Sequence, residues 1–104
     1  MIQPALQKSH EISAAILGKR LLAFSYNGLS RVIEPHTLGL DTGGRMLVCG
    51  YQVSGESRSG SVEGWKFFDL QGIDEPRMLD ERSSWPRPAY RRDDGAFARI
   101  LAQL

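Results

Sequence analysis

Leu21-Leu22-Ala23-Phe24-Ser25-Tyr26-Asn27-Gly28 decides the fold. Leu22, Phe24 and Tyr26 alternate with Leu21, Ala23 and Ser25, the two-residue period of a strand with one heavier face. Asn27-Gly28 then supplies a tight hairpin turn. The chain is expected to return along residues 31–40 as a second strand. Pro35 has no N–H to donate to a ladder, so it marks an edge or a bulge there.

The pattern continues outward from this hairpin. Asp41-Thr42-Gly43-Gly44 reads as the next turn. Residues 46–53 are apolar on both faces, with Met46 and Val48 on one and Leu47, Cys49, Tyr51 and Val53 on the other. That predicts a central strand covered on both sides, with Gly50 marking a bend. Residues 54–64 form a Gly/Ser-rich loop carrying Glu56, Arg58 and Glu63. Residues 65–70 give a fourth strand, and Met78 and Leu79 a short fifth one after Pro76. Short antiparallel strands at this spacing predict a small barrel, because closure removes exposed edges.

The two ends read differently. Residues 4–18 are expected to be helical, since Pro4 suits a first turn and Leu6, Ile12, Ala15 and Ile16 make a narrow apolar stripe. Gly18, Lys19 and Arg20 supply the stop. In residues 83–92, Pro86 and Pro88 block regular ladders and favour extended backbone. Asp93 or Asp94 is then placed to cap a final helix over residues 95–103, with Phe97, Ile100, Leu101 and Leu104 on one face.

The totals fit one domain. The chain has 104 residues, 41% hydrophobic and 24% charged, an average globular balance that argues against disorder throughout. A net charge of +1 leaves any nucleic-acid contact to a local basic patch. The single cysteine, Cys49, permits no internal disulfide, which favours a reducing compartment. The N-terminus lacks the apolar core of a signal peptide, and no segment approaches the ~20 apolar residues of a membrane span. The expectation is a cytoplasmic protein with no membrane partner.

Few residues offer bond-breaking chemistry. His10 lies beside Glu11 with no second histidine to complete a metal-binding helix motif, and reads as a solvated side chain. A nucleophile would have to pair Cys49 with His36, yet Cys49 sits in the most apolar run, where a thiolate is disfavoured. No spacing matches a zinc or calcium site. Neither a catalytic residue, a metal nor a cofactor is expected.

Binding chemistry is better represented. Ser54, Ser57, Ser59 and Ser61 surround Arg58 in the Gly-containing loop, which suits an anion; the plain alternative is a flexible connection. Lys66 shares a strand face with Phe68 and Leu70, where a charge must meet an anion or a wet mouth. If Trp65 and Phe67 faced inward instead, Lys66 would be ordinary surface. Arg31 is placed opposite Tyr26 across the tight turn, a pairing able to stack on and fork around a planar or phosphorylated ligand. Its alternative role is edge-strand solubility. Arg77, Arg82, Arg87, Arg91, Arg92 and Arg99, interleaved with Trp85 and Tyr90, suit single-stranded nucleic acid. The acids mixed among them favour a tail that wraps back, with Trp85 plugging the core.

These residues resemble a known family. The run from Ala15 to Gly28, followed by Arg31-Val32-Ile33-Glu34-Pro35-His36-Thr37-Leu38-Gly39, is similar to the opening of a WYL domain, F-x-Y-x-G … R-x-x-x-P. Met46-Leu47-Val48 falls where that family's Trp-Tyr-Leu belongs, and Gly50-Tyr51 matches the pair that often follows. Lys66 to Ile73 resembles its R-x-F-x-L-x-x-I segment. The resemblance covers about residues 12–80. It implies an Sm-like, SH3-like five-stranded barrel. It also implies a ligand-sensing or nucleic-acid-binding part of a bacterial transcription regulator, some relatives being linked to phage defence and DNA damage. The departures are the missing aromatics at Met46-Leu47 and a lysine, Lys66, where the family has a pocket arginine. Only ~18 residues precede the barrel, too few for a helix-turn-helix, so sequence-specific operator binding is not expected of this chain.

The resulting expectation is a mainly β, Sm/SH3-like five-stranded barrel in one domain over residues 1–104. A helix fills 1–18, the barrel 19–80, and an extension with a C-terminal helix 81–104. The function expected is non-enzymatic binding of a negatively charged ligand, a nucleotide or single-stranded nucleic acid, in a transcription-regulatory or defence setting. The expected contacts are Tyr26, Arg31, His36, Tyr51, Arg58 and Lys66. The rival expectation is a protein-interaction or oligomerisation module, docking a regulator protein or a second copy of the chain without a small ligand.

Overall fold

The computed structural model describes residues 5–58, 60, 62–82 and 86–104. Pro4, Ser59, Ser61 and Trp85, and the side chain of Leu6, lie outside the described residues. Within them the chain forms α1 (Ala5–Leu17), β1 (Arg20–Tyr26), β2 (Leu29–Leu40), β3 (Met46–Gly55), β4 (Gly64–Asp69), a 3-10 turn (Leu70–Gly72), β5 (Ile73–Arg82) and β6 (Arg99–Gln103). All strand pairs are antiparallel, in one sheet of order β4-β3-β2-β1-β5, and β6 pairs β2 off this path.

The β1–β2 hairpin forms as the sequence predicts. Asn27 and Gly28 both take positive φ, 50° and 85°, which a two-residue turn of this hand requires. Pro35 lies where the β2–β3 register shifts, between Pro35 and Thr37, so the missing donor is absorbed by a bulge. Pro76 is also inside a strand. The β1–β5 register shifts between Ala23 and Ser25, opposite the stretch that holds Glu75 at φ 52° and Pro76. The fifth strand is therefore longer than expected, and begins before its proline.

Two expectations are corrected. The sheet is not closed as a barrel: among the described residues no ladder joins β4 to β5. Only the three-residue 3-10 turn separates those strands along the chain, and its neighbourhood is tied by single bonds, Asp69 N–H to Tyr26 Oη at 3.2 Å and Asn27 N–H to the Gly72 carbonyl at 3.3 Å. The predicted C-terminal helix is also absent. Residues 99–103 form β6 on the outer half of β2, with Leu38 opposite Ala102 and Leu40 opposite Arg99. The backbone of β2 beyond its pairing with β1 offers unpaired groups, and a short extended segment satisfies them.

The core is contiguous. Ile12, Ala15 and Ile16 of α1 pack with Leu22, Phe24, Ile33, Leu38, Val48, Phe68, Leu70, Ile73 and Ala102. Phe68 sits between Phe24 and Tyr26, each ring edge-on at 5.0 Å. The helix also serves the sheet's polar groups: Glu11 Oε2 accepts the Met78 N–H at 2.8 Å, and Lys8 Nζ donates to the Leu70 carbonyl at 3.1 Å. Among the described residues no helix is long and apolar enough to cross a membrane.

Gly39 fixes how closely β6 can lie. A Cβ there would collide with the Arg99 carbonyl oxygen and the Phe97 ring. Gly39→Ala is expected to push β6 outward and destabilise the fold by about 1–3 kcal/mol, read as a lowered urea midpoint. An unchanged midpoint would show that β6 does not need this close approach.

Candidate functional site: a cationic cleft and a buried histidine cluster

The two-residue period of the strands sorts polar side chains onto two faces of the sheet. On one face, a cleft of about 570 Å³ opens between the end of β1, residues 57, 58 and 63, and β4, and Tyr26, Arg31, Ser57, Arg58, Trp65 and Lys66 border it. Arg31 forms its floor, at only 6% exposure. Its Nη1 donates to Gln52 Oε1 at 3.1 Å, and its guanidinium lies 5.6 Å from the Tyr26 ring and 5.5 Å from the Phe68 ring. Among the described residues its buried Nε has no hydrogen-bond partner. A buried donor left open in this way is costly.

Gln52 was not among the expected contacts. It is fully buried on β3, and its Nε2 donates to the carbonyls of Ser54 at 3.1 Å and Glu56 at 3.0 Å. One side chain therefore holds Arg31 and also pins the start of the loop that carries Ser57 and Arg58. Its signal was present: a polar residue in a run otherwise apolar.

Lys66 reaches the same cleft from β4, and its Nζ donates to Ser57 Oγ at 2.9 Å. Burial, then the charge of Arg31, holds its ammonium below the ordinary lysine range. Arg58 is exposed at the rim, and Glu63 also borders the cleft as a carboxylate. Tyr26 contributes its ring. Arg31 is not opposite Tyr26 in the ladder, as the sequence had placed it; Phe24 is opposite Arg31, and Leu29 opposite Tyr26. The inward lean of both side chains still brings them together.

His36 and Tyr51 do not reach this cleft. They lie on the other face with Glu34 and Trp65, beneath the segment that precedes β6. The His36 ring is 4.6 Å from Trp65 and 4.9 Å from Tyr90, and Tyr51 meets Trp65 edge-on at 5.8 Å. Arg87 Nε pairs with Glu34 Oε1 at 2.6 Å while its guanidinium lies 4.2 Å from the Tyr51 ring. The carboxylate raises the Arg87 pKa further above its already high ordinary value. So the tail wraps back onto the sheet, with Arg87 and Tyr90 in contact there. Of the six expected contacts, Tyr26, Arg31, Arg58 and Lys66 converge and His36 and Tyr51 form a separate cluster.

Cys49 and His36 do not pair. His36 Nδ1 is bonded to the Glu34 carbonyl at 2.7 Å, and Nε2 takes the Arg87 N–H at 3.2 Å. Burial pushes the Cys49 thiol up to about 12, so it stays protonated. Among the described residues no three His, Cys, Asp or Glu side chains converge to hold a metal ion.

The fold and the cleft together define a mainly β module with cationic and ring-bearing side chains around one opening. The same fold occurs in proteasome accessory factor B/C (PafBC) of Arthrobacter aurescens, with a TM-score of 0.65 and 24% identity. The likeness covers 88% of this chain and 14% of that one. It is a likeness of fold. No family model and no curated protein matches the sequence.

Proposed function

We propose that this chain is a non-catalytic, ligand-sensing module of a regulator, and that its cleft binds a negatively charged ligand, a nucleotide or short single-stranded nucleic acid. The observation that carries this reading is Arg31: a buried guanidinium with an unused donor, facing Lys66 across a cleft open to solvent. Among the described residues no carboxylate is paired with it. An arriving phosphate supplies both the missing acceptor and the missing charge. Tyr26 offers a ring on which a base can stack. The WYL-like sequence motifs support the regulatory setting, on a fold shared with proteasome accessory factor B/C. The lone, protonated Cys49 fits a reducing, cytoplasmic one.

A titration of labelled single-stranded DNA and of nucleotides at two salt concentrations tests this. With about three phosphate contacts on a single strand, affinity should fall roughly twentyfold between 50 and 200 mM salt. Absence of binding at low salt removes the nucleic-acid version. Binding that ignores salt points instead to an apolar docking surface, for which exposed Phe67 and Leu101 are available.

A further inference from the structure

Residues 86–98 lie like a strap across the face of the sheet opposite the cleft and lead into β6, which is itself laddered to β2. Short of that ladder the strap is fastened at a few points. Arg87 pairs with Glu34, whose side chain is only 5% exposed. Tyr90 stacks on Trp65 with rings 6.3 Å apart and 16° from parallel, and its hydroxyl donates to the Leu104 carbonyl at 3.2 Å. The Leu104 N–H donates to the His36 carbonyl at 3.0 Å. At the middle of these contacts is the His36 side chain, with no exposed surface.

The hydrogen bonds assign its tautomer. Nε2 accepts the Arg87 backbone N–H at 3.2 Å, so Nε2 carries no proton. Nδ1 lies 2.7 Å from the Glu34 carbonyl, an acceptor, so Nδ1 carries the proton and donates it. The ring is neutral, and both nitrogens are used. A second proton has one place to go, Nε2, where it would set two donors against each other.

We propose that His36 is a proton-operated latch: uptake of one proton at Nε2 expels the Arg87 amide and frees the strap from the sheet. Among the described residues the groups facing the ring are few. From β2, Glu34 offers a carbonyl and a carboxylate. From the strap come the Arg87 guanidinium and the Tyr90 ring, and from β4 the uncharged Trp65. Tyr51 of β3 acts through Arg87. Burial is the largest influence and holds His36 below 6.5; the Glu34 carbonyl and carboxylate oppose it, and the Arg87 charge assists it.

The sign follows. Above pH 6.5 the ring is neutral whether the strap is docked or free, and docking is insensitive to pH. As pH falls below 6.5, the free state takes up a proton that the docked state refuses. Release then gains up to about tenfold per pH unit, until the docked ring also titrates. Trp65 touches His36 and also borders the cationic cleft, so the latch and the cleft share a wall. The latch does not depend on what the cleft binds, and its test uses no ligand.

Amide hydrogen exchange by NMR on the full chain provides that test. Protection factors for Arg87 and Tyr90 should fall about tenfold or more between about pH 7.5 and about pH 5, while Leu22 and Ile33 in the core hold theirs. His36→Gln keeps an uncharged acceptor near the Nε2 position and should abolish the response. His10→Gln, on the exposed face of α1, should retain it. Equal strap protection at both pH values overturns the proposal, as does an undiminished response in His36→Gln. Should His36→Gln fail to fold, the ring nitrogen shifts of the unaltered protein decide. Nε2 must become protonated in step with strap loosening, and a ring still neutral when the strap is loose overturns the latch.

Discussion

Phe68→Ala is expected to destabilise the protein by about 3–5 kcal/mol, enough to threaten folding of a domain this small. Phe68 is 2% exposed and takes ring edges from Phe24 and Tyr26, so its removal leaves a cavity that rigid strands cannot collapse around. Its guanidinium neighbour, Arg31, would lose one of the two rings that shield it. The adjacent Phe67 provides the contrast. It is 47% exposed and among the described aromatics meets only the Phe97 ring, at 5.9 Å, so Phe67→Ala should cost no more than about 1.5 kcal/mol. Urea unfolding of the two variants gives the comparison directly. Equal losses would mean that β4 is paired one residue out of register, since such a slip exchanges its faces.

Replacing Arg31 and Lys66 together with alanine is expected to weaken anion binding on the order of 100-fold, since charged hydrogen bonds are worth about 1.5–3 kcal/mol each. The logarithmic salt dependence should also flatten, by about 0.7 for each phosphate of a single strand that is no longer neutralised. Arg31→Lys separates charge from shape. It keeps the cation and removes the fork, so a ligand held by two parallel bonds should lose about tenfold with the salt dependence nearly intact. Arg58→Ala should matter less, because that side chain is exposed and open to screening by salt. Fluorescence anisotropy with a labelled oligonucleotide measures all of these variants, and circular dichroism checks that each one folds. Undiminished affinity in the double variant would move the site away from this cleft.

The strands were legible because their signals are local. Alternation of Leu22, Phe24 and Tyr26 and the Asn27-Gly28 turn are readable within a window shorter than the hairpin itself. Pro35 announced an edge or a bulge because it has no N–H to donate, and the register shift beside it is the bulge. The last strand was not legible in the same way. Phe97, Ile100, Leu101 and Leu104 fit a helical stripe, but Ile100, Ala102 and Leu104 fit a strand equally well. What decides between them is β2, some 60 residues earlier in the chain, whose outer half pairs with residues 99–103. Pairing over such a distance leaves no trace in local sequence. Closure was likewise inferred from strand number, which does not say whether two outer strands meet.

The site was half legible for a related reason. Residue types pointed to cations and rings, and four of them do share one opening. His36 and Tyr51 were grouped with them by chemistry, although their parity in β2 and β3 sets them apart from Arg31 and Gln52. A lone amide such as Gln52 resembles a solvated residue until its burial is known. Trp85, expected to plug the core, lies outside the described residues.

β2 has an unusual consequence for how this molecule tolerates change. Arg31 faces one way along it and Glu34 and His36 the other, so a single backbone line serves two unrelated tasks. Side-chain replacements in it should be separable, each disturbing one task and sparing its neighbour. Loss or gain of a single residue between Ile33 and Glu34 would do the reverse, turning everything downstream through half a revolution and spoiling both at once. Variation of this strand is thus expected to proceed by exchange of letters and almost never by a change in their number.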